Sequence, residues 1–251
     1  EASSSVKPVG AGSNVFFAFD KGSFTGFREF YVKSDTDTKS ADDITSNVPR
    51  FIPSGVFKLA IATNENIMLA LSSSEQNAIF VHQYYVTGGK RLQSAWHKWT
   101  FGTSSTDKIL NIDFIENTLF IVNQRSDGVY LETMDISPAV TDTSASYLTH
   151  LDRKVSNSTT GVSESYNAGT NQTTVTIPYT KTNTLSLVGA STGSNQAGQE
   201  ISIVSQTGTS VVVSGDITSY DYFIGEDYTF TFTFSQQFIQ EADAQGSRIS
   251  I

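Results

Sequence analysis

The sequence contains no cysteine. Disulfides and thiolate metal sites are therefore excluded, and the protein must fold without covalent staples. Charge is also scarce, at 16% of residues, and it is lopsided: 16 Lys and Arg stand against 25 Asp and Glu, for a net charge of −9. Tight binding to DNA comes largely from basic side chains displacing counterions at phosphates, so this balance argues against nucleic acid as a tightly held ligand. The basic pairs Lys90-Arg91 and Arg153-Lys154 are too short to make a patch and read as solvated surface charge. Long apolar runs are missing as well. A spanning helix needs roughly 20 apolar residues in a row. Val15-Phe16-Phe17-Ala18-Phe19 falls far short of that, so no membrane insertion is expected. The opening EASSSVKPVG has neither the basic end followed by an apolar stretch of a signal peptide nor an initiator Met, and it reads as the start of a fragment of a longer chain.

What is present is β-forming. Hydrophobic residues reach 38%, too many for a disordered chain, and the wealth of Thr, Val, Ile, Phe and Tyr points to strands rather than helices. At 251 residues there is room for one large or two ordinary domains. Apolar and polar residues alternate as half-buried strands require. Phe57, Leu59 and Ile61 are expected on one face of a strand, with a turn at Asn64-Glu65-Asn66 and a second strand carrying Ile67, Leu69 and Leu71. Ile79 to Val86 follows, and Thr87-Gly88-Gly89-Lys90 reads as a hairpin turn. After Phe101 the pattern restarts with Ile109 to Phe114, a turn at Glu116-Asn117, Leu119 to Val122, a turn at Ser126-Asp127-Gly128, and Val129 to Ile136.

The register of this repeat is measurable. Glu65-Asn66 and Glu116-Asn117 lie 51 residues apart, and Asn77 to Val81 precedes Asp127 to Leu131 by 50. Antiparallel strands repeating at that spacing are what propeller blades show, because one blade cannot bury both of its faces alone. Two blades and part of a third fit before residue 137, and two unrelated β-meanders are the alternative.

The two tryptophans fall together in Gln93-Ser94-Ala95-Trp96-His97-Lys98-Trp99-Thr100-Phe101-Gly102, at the place of a blade's fourth strand. Alternation puts His97, Trp99 and Phe101 on one face and Trp96 with Lys98 on the other. Large aromatics on both faces suit a strand packed between neighbouring blades, and this reading is favoured over an exposed sugar platform.

After Ser137 the composition shifts, and Asp142-Thr143-Ser144-Ala145-Ser146 reads as a linker. Strands are expected over Thr173–Ile177, Thr184–Val188, Glu200–Ser205, Ser210–Ser214 and Tyr228–Phe234. The resulting expectation is an all-β chain: partial propeller-type antiparallel blades over residues 1–136, then a small β-sandwich or barrel over residues 150–251.

Catalytic, cofactor-binding and metal-binding residues are not expected, and neither is enzyme activity. His82, His97 and His150 are far apart, with no metal-binding spacing among them. Asp35 to Asp43 resembles a calcium loop, but Lys39 and Ser40 replace an oxygen ligand and the turn glycine, leaving a solvated acidic loop. No nucleophile elbow or phosphate-binding glycine loop appears. The N-x-T sequons at Asn157 and Asn171 read as chance in a Thr-rich region.

Several stretches taken together resemble one family. They are Phe16-Phe17-Ala18-Phe19, Gly22, Gly26 to Val32, Asp43 to Ile52, Trp96-His97-Lys98-Trp99 and Arg125-Ser126-Asp127-Gly128-Val129-Tyr130-Leu131-Glu132. In this order they are similar to the nozzle (tail tubular protein B) family of short-tailed phages, the podoviruses. The similarity is densest over residues 14–136, thins after Leu151 and returns at Ile224-Gly225-Glu226-Asp227-Tyr228. The resemblance implies a virion protein of the phage tail, built from propeller and smaller β domains. It implies a homo-hexameric ring that meets the tail gatekeeper (tail tubular protein A) and the tail fibres and lets double-stranded DNA pass during ejection. Asn47 departs from the family's D-I-T-x-H-V-P stretch, and the chain is much shorter than a complete nozzle. A carbohydrate-binding or carbohydrate-cleaving β-protein acting on host surface glycans is the alternative from another class, and a surface adhesin is a third.

Overall fold

The computed structural model describes residues 3, 5–32, 36–87, 90–102, 106–136, 148–191, 197–233, 238–240 and 246–248. Among these every regular element is a β-strand, in agreement with the all-β expectation. The linker expected at 142–146, the hairpin tip Gly88-Gly89, Asp35 and Phe234 lie outside the described residues.

Strands β1 (Val9–Ala11), β2 (Asn14–Asp20), β3 (Thr25–Val32) and β4 (Lys39–Asp43) form an antiparallel meander in sequence order. A second meander joins β5 (Val56–Ala62), β6 (Ile67–Ser72), β7 (Glu75–Thr87) and β8 (Lys90–Thr100), and a third joins β9 (Lys108–Ile115), β10 (Thr118–Arg125) and β11 (Gly128–Asp135). Thr87 pairs with Lys90, as the hairpin reading requires.

The three sheets stack because each meander has apolar residues to cover on its faces. Phe16, Ala18 and Phe27 of the first sheet meet Leu59, Met68, Ala70 and Phe80 of the second in one core. The opposite face of the second sheet, with Ala60, Ile67, Leu69, Leu71, Ile79 and Val81, meets Ile109, Ile112, Leu119 and Ile121 of the third. This explains why β6 reads IMLALS and is buried throughout: an inner strand covered on both faces has no solvent side. The turns that set the repeat register touch, Asn117 Nδ2 donating to Glu65 Oε1 at 2.9 Å. One facing departs from simple alternation. A bulge between Val56 and Lys58 turns Phe57 outward to 43% exposure, while Val56 and Leu59 enter the core.

The remaining strands build two four-stranded sheets. One has the order β12 (Asp152–Ser156), β19 (Tyr222–Glu226), β15 (Leu185–Gly189), β16 (Glu200–Ile201). The other has the order β13 (Ser163–Asn167), β14 (Gln172–Thr176), β18 (Ser210–Ser214), β17 (Ile203–Gln206). Val175, Val211 and Val213 from the second interleave with Leu185, Leu187, Tyr222 and Ile224 from the first in a single core. The arrangement is a sandwich, and none of the described sheets closes into a barrel. The stretch expected as one strand over Glu200–Ser205 changes sheets at Ser202, β16 serving one sheet and β17 the other. The strand expected at Tyr228–Phe234 is not formed over its described part; the strand lies just before it, as β19. A short pair, β20 (Phe238–Gln240) with β21 (Gly246–Arg248), follows.

Candidate functional site

The tryptophan stretch is β8, the fourth strand of the second sheet, and its aromatics divide between the two cores. Trp96 lies 5.3 Å from the Phe27 ring and 4.9 Å from His82, and its indole N–H donates to the Ile44 carbonyl at 3.0 Å. Trp99 and Phe101 pack on the opposite core. Neither tryptophan is a free sugar platform.

His82 and His97 are diagonal neighbours on the paired strands β7 and β8, but their side chains lie on opposite faces of the sheet. His82 is buried in the first core's aromatic layer, with Nε2 2.9 Å from Ser94 Oγ. His97 faces the other way, 5.7 Å from Trp99, and burial pushes its pKa below the usual histidine range. His150 is exposed. No group of three or more His, Asp or Glu among the described residues is placed to hold a metal ion. The stretch expected as an acidic loop is in its larger part the edge strand β4, where Asp43 accepts from Lys21 Nζ at 2.9 Å and from the Thr45 hydroxyl.

A side-chain constellation forms where the third sheet meets the sandwich. Arg153, expected on the surface, has a side chain only 6% exposed. It sits in a bulge of β12 with a left-handed φ of 49°. That conformation costs a non-glycine residue on the order of 1 kcal/mol. The bulge aims its guanidinium between two carboxylates. Nη1 donates to Glu226 Oε1 at 3.2 Å and to the Thr180 carbonyl at 2.9 Å, while Nε lies 3.6 Å from Glu132 Oε1. Its plane covers the Tyr179 ring at 3.9 Å and the Tyr130 ring at 5.0 Å, a cation held against aromatic faces. Gly225 makes the bulge possible, since a Cβ there would stand 2.8 Å from the Asp152 carbonyl oxygen and from Leu151 Cβ.

The carboxylates are well supplied with donors. Glu132 receives Arg125 Nε and Nη2, both at 3.0 Å, and Asn123 Nδ2 at 3.2 Å. Glu226 receives the Thr182 hydroxyl at 2.7 Å and the backbone N–H groups of Thr182 and Asn183. Asp127, in the β10–β11 turn, accepts from the Thr180 N–H at 3.0 Å across the same junction. Burial alone would raise the Asp127 pKa, but hydrogen bonds from Thr180 and Tyr130 outweigh it and hold the carboxyl below the usual range. Burial and then the Glu226 charge push the Tyr179 phenol upward. Lys154 reaches back to the Thr149 carbonyl at 3.1 Å, and burial lowers its pKa.

Two arginines face two glutamates here, and although Arg153 Nη2 is left without a hydrogen-bond partner, the paired charges act as ties between elements. Most of the ties come from two of the family-like stretches. Arg125, Asp127, Tyr130 and Glu132 belong to the first, Gly225 and Glu226 to the second, and Arg153 bridges them. Both stretches stand out in the sequence. Arg153 does not, because its burial depends on a bulge that composition does not signal.

The buried charges bind the parts of an all-β body to one another. The chain belongs to the bacteriophage nozzle protein family, which it matches over residues 1–251, and it is a structural component of the phage tail. It is 26% identical over 259 residues to tail tubular protein gp12 of Escherichia phage T7, an alignment covering 96% of this chain and 31% of that one. The chain spans about a third of the length of that curated relative.

Proposed function

We propose that this chain forms part of the wall of a ring-shaped conduit at the distal end of the tail, and that it works by rigidity rather than by catalysis. The observation that carries this reading is continuous packing: three stacked sheets share two cores, and the Arg153 ties join the third sheet to the sandwich. Residues 1–136 act as propeller-type blades and residues 150–251 as a separate sandwich. In the intact protein six copies surround the channel, in contact with the tail gatekeeper and the tail fibres, and double-stranded DNA passes through. The acidic balance suits passage, because a wall that gathered phosphates would hold DNA by counterion release. Native mass spectrometry of the intact protein tests the ring, with six copies expected and a stable monomer counting against it. Duplex affinity tests passage. Sub-micromolar binding at about 150 mM salt, where nonspecific binding is far weaker, contradicts a sliding channel.

A carbohydrate-binding role is the second reading, favoured by one feature. An open cleft of about 390 Å³ is lined by Glu65, Asn66, Gln83, Tyr84, Tyr85 and Gln93. That mixture of amides, carboxylate and phenol is one that saccharides engage. Screening against capsule and lipopolysaccharide sugars tests it. Cleavage of such a polysaccharide, abolished by a single Asp or Glu substitution, would replace the conduit reading with a hydrolase.

A further inference from the structure

The third sheet and the sandwich share little apolar surface. Among the described residues, Tyr130 is the one side chain of the third sheet that packs on the sandwich core, and neither core of the stacked sheets takes a residue from the sandwich. No described strand of the stacked sheets pairs with one of the sandwich. The chain passes between the two bodies on the way from β11 to β12. Parts of one chain that meet through a small, polar contact move against each other unless something else holds them.

The charges at this junction are divided in a way that permits such movement. Each buried glutamate has its hydrogen-bonded arginine on its own side. Glu132 is held by Arg125 and Asn123 within the third sheet, and Glu226 by Arg153, Thr182 and Asn183 within the sandwich. What crosses is weaker. Arg153 Nε stands 3.6 Å from Glu132 Oε1, its guanidinium lies 5.0 Å from the Tyr130 ring, and the Thr180 N–H donates to the exposed Asp127 at 3.0 Å. Breaking a buried ion pair is costly because it leaves a charge unpaired. Parting along this junction leaves neither glutamate unpaired, since the boundary runs between the Arg125–Glu132 and Arg153–Glu226 pairs rather than through either. It also uncovers the side of the Arg153 guanidinium that Glu132 and Tyr130 shield, giving water to Nη2, which has no hydrogen-bond partner when docked.

We propose that the junction is a releasable latch, along which the third sheet and the sandwich part as two folded bodies and dock again, Arg153 staying with the sandwich. Docked is the resting form, and the wall is stiff while the latch holds. Release is a sub-global opening that costs the crossing contacts and no core. The inference goes beyond the conduit reading and does not depend on the number of copies in the assembly.

Pulsed dipolar spectroscopy tests it in the intact protein, with any cysteines outside these 251 residues changed to serine. Spin labels are placed at Asn111→Cys on the third sheet and Ser165→Cys on the sandwich, both exposed positions. Labelled copies are diluted with unlabelled ones, so that only separations within one chain are read. Asp127→Ala combined with Tyr130→Leu removes two of the crossing contacts and keeps both glutamate–arginine pairs whole. One separation is expected in the parent. In the variant a second, distinct separation is expected in about a tenth of the molecules or more. A control pair at Ser165→Cys and Ser205→Cys, on the two edge strands of one sandwich sheet, is expected to keep its parent separation. An unchanged distribution across the junction overturns the latch. So does a broadened control separation, because the variant is then unfolding rather than undocking. If the second separation appears while six copies fail to assemble, the latch stands and the ring reading falls.

Discussion

At the scale of single residues, the chain shows how placement overrides side-chain type. Arg153 and Lys90 both stand in basic pairs, yet Arg153 is enclosed by Glu132, Glu226, Tyr130 and Tyr179. Replacing it by alanine leaves the buried Glu226 carboxylate without its ion-pair partner, while Glu132 keeps Arg125, so Arg153→Ala is expected to cost about 3–5 kcal/mol in urea denaturation. His97 gives a pH signature. Its folded-state pKa is depressed by burial, so the unfolded chain binds the proton more readily. Stability is therefore unaffected well above the unfolded histidine value of about 6.5 and falls as the pH drops below it. His97→Gln is expected to lose less stability than the parent between pH 7 and pH 5, as denaturation at the two pH values would show. Asn171 has a use unrelated to its sequon: it holds a left-handed φ of 50° in the turn between β13 and β14. Asparagine tolerates that conformation better than most residues.

At the scale of elements, legibility follows burial. Strands with one wet face, such as β10 and β18, announce themselves by alternation, and the strand expected over Ser210–Ser214 coincides with β18. β6 is legible only in part, because Met68 and Ala70 serve the opposite core from Leu69 and Leu71. β19 is hidden because the louder pattern of Tyr228 to Phe232 lies beside it, and local pattern cannot tell a strand that is paired from one that is not. The two-sided role of β8 is legible, since large aromatics on alternate faces need cover on both sides. Trp96→Ala is expected to lose roughly 3 kcal/mol, the lower end for removal of a large aromatic, because the ring is only partly buried. A circular dichroism melt of the variant would show it. Gly225→Ala probes the opposite fault. A methyl driven against the Asp152 carbonyl and Leu151 should cost about 1–3 kcal/mol by overpacking and displace the β12 bulge. A chemical denaturation midpoint matching the parent would mean that β12 shifts freely.

At the scale of the whole molecule, two cores lie in the stacked sheets and a third in the sandwich, so cooperativity depends on the junction. The parent is expected to unfold in one calorimetric transition, and Arg153→Ala in two, because the Arg153 ties across the junction are lost and only the Asp127–Thr180 hydrogen bond and the Tyr130 contact remain to couple the parts. A single transition in the variant would place the coupling elsewhere. The passage from β16 to β17 carries a different consequence. At Ser202 the backbone crosses directly from one sandwich sheet to the other, so on that flank the layers are joined by covalent bonds rather than by side-chain contact. Under a shearing load, hydrogen-bond ladders and apolar contacts yield one after another, whereas a peptide strut must stretch or drag its two strands out of register. A wall under load gains from such a strut, because its layers cannot creep past each other while the strands on either side of Ser202 hold.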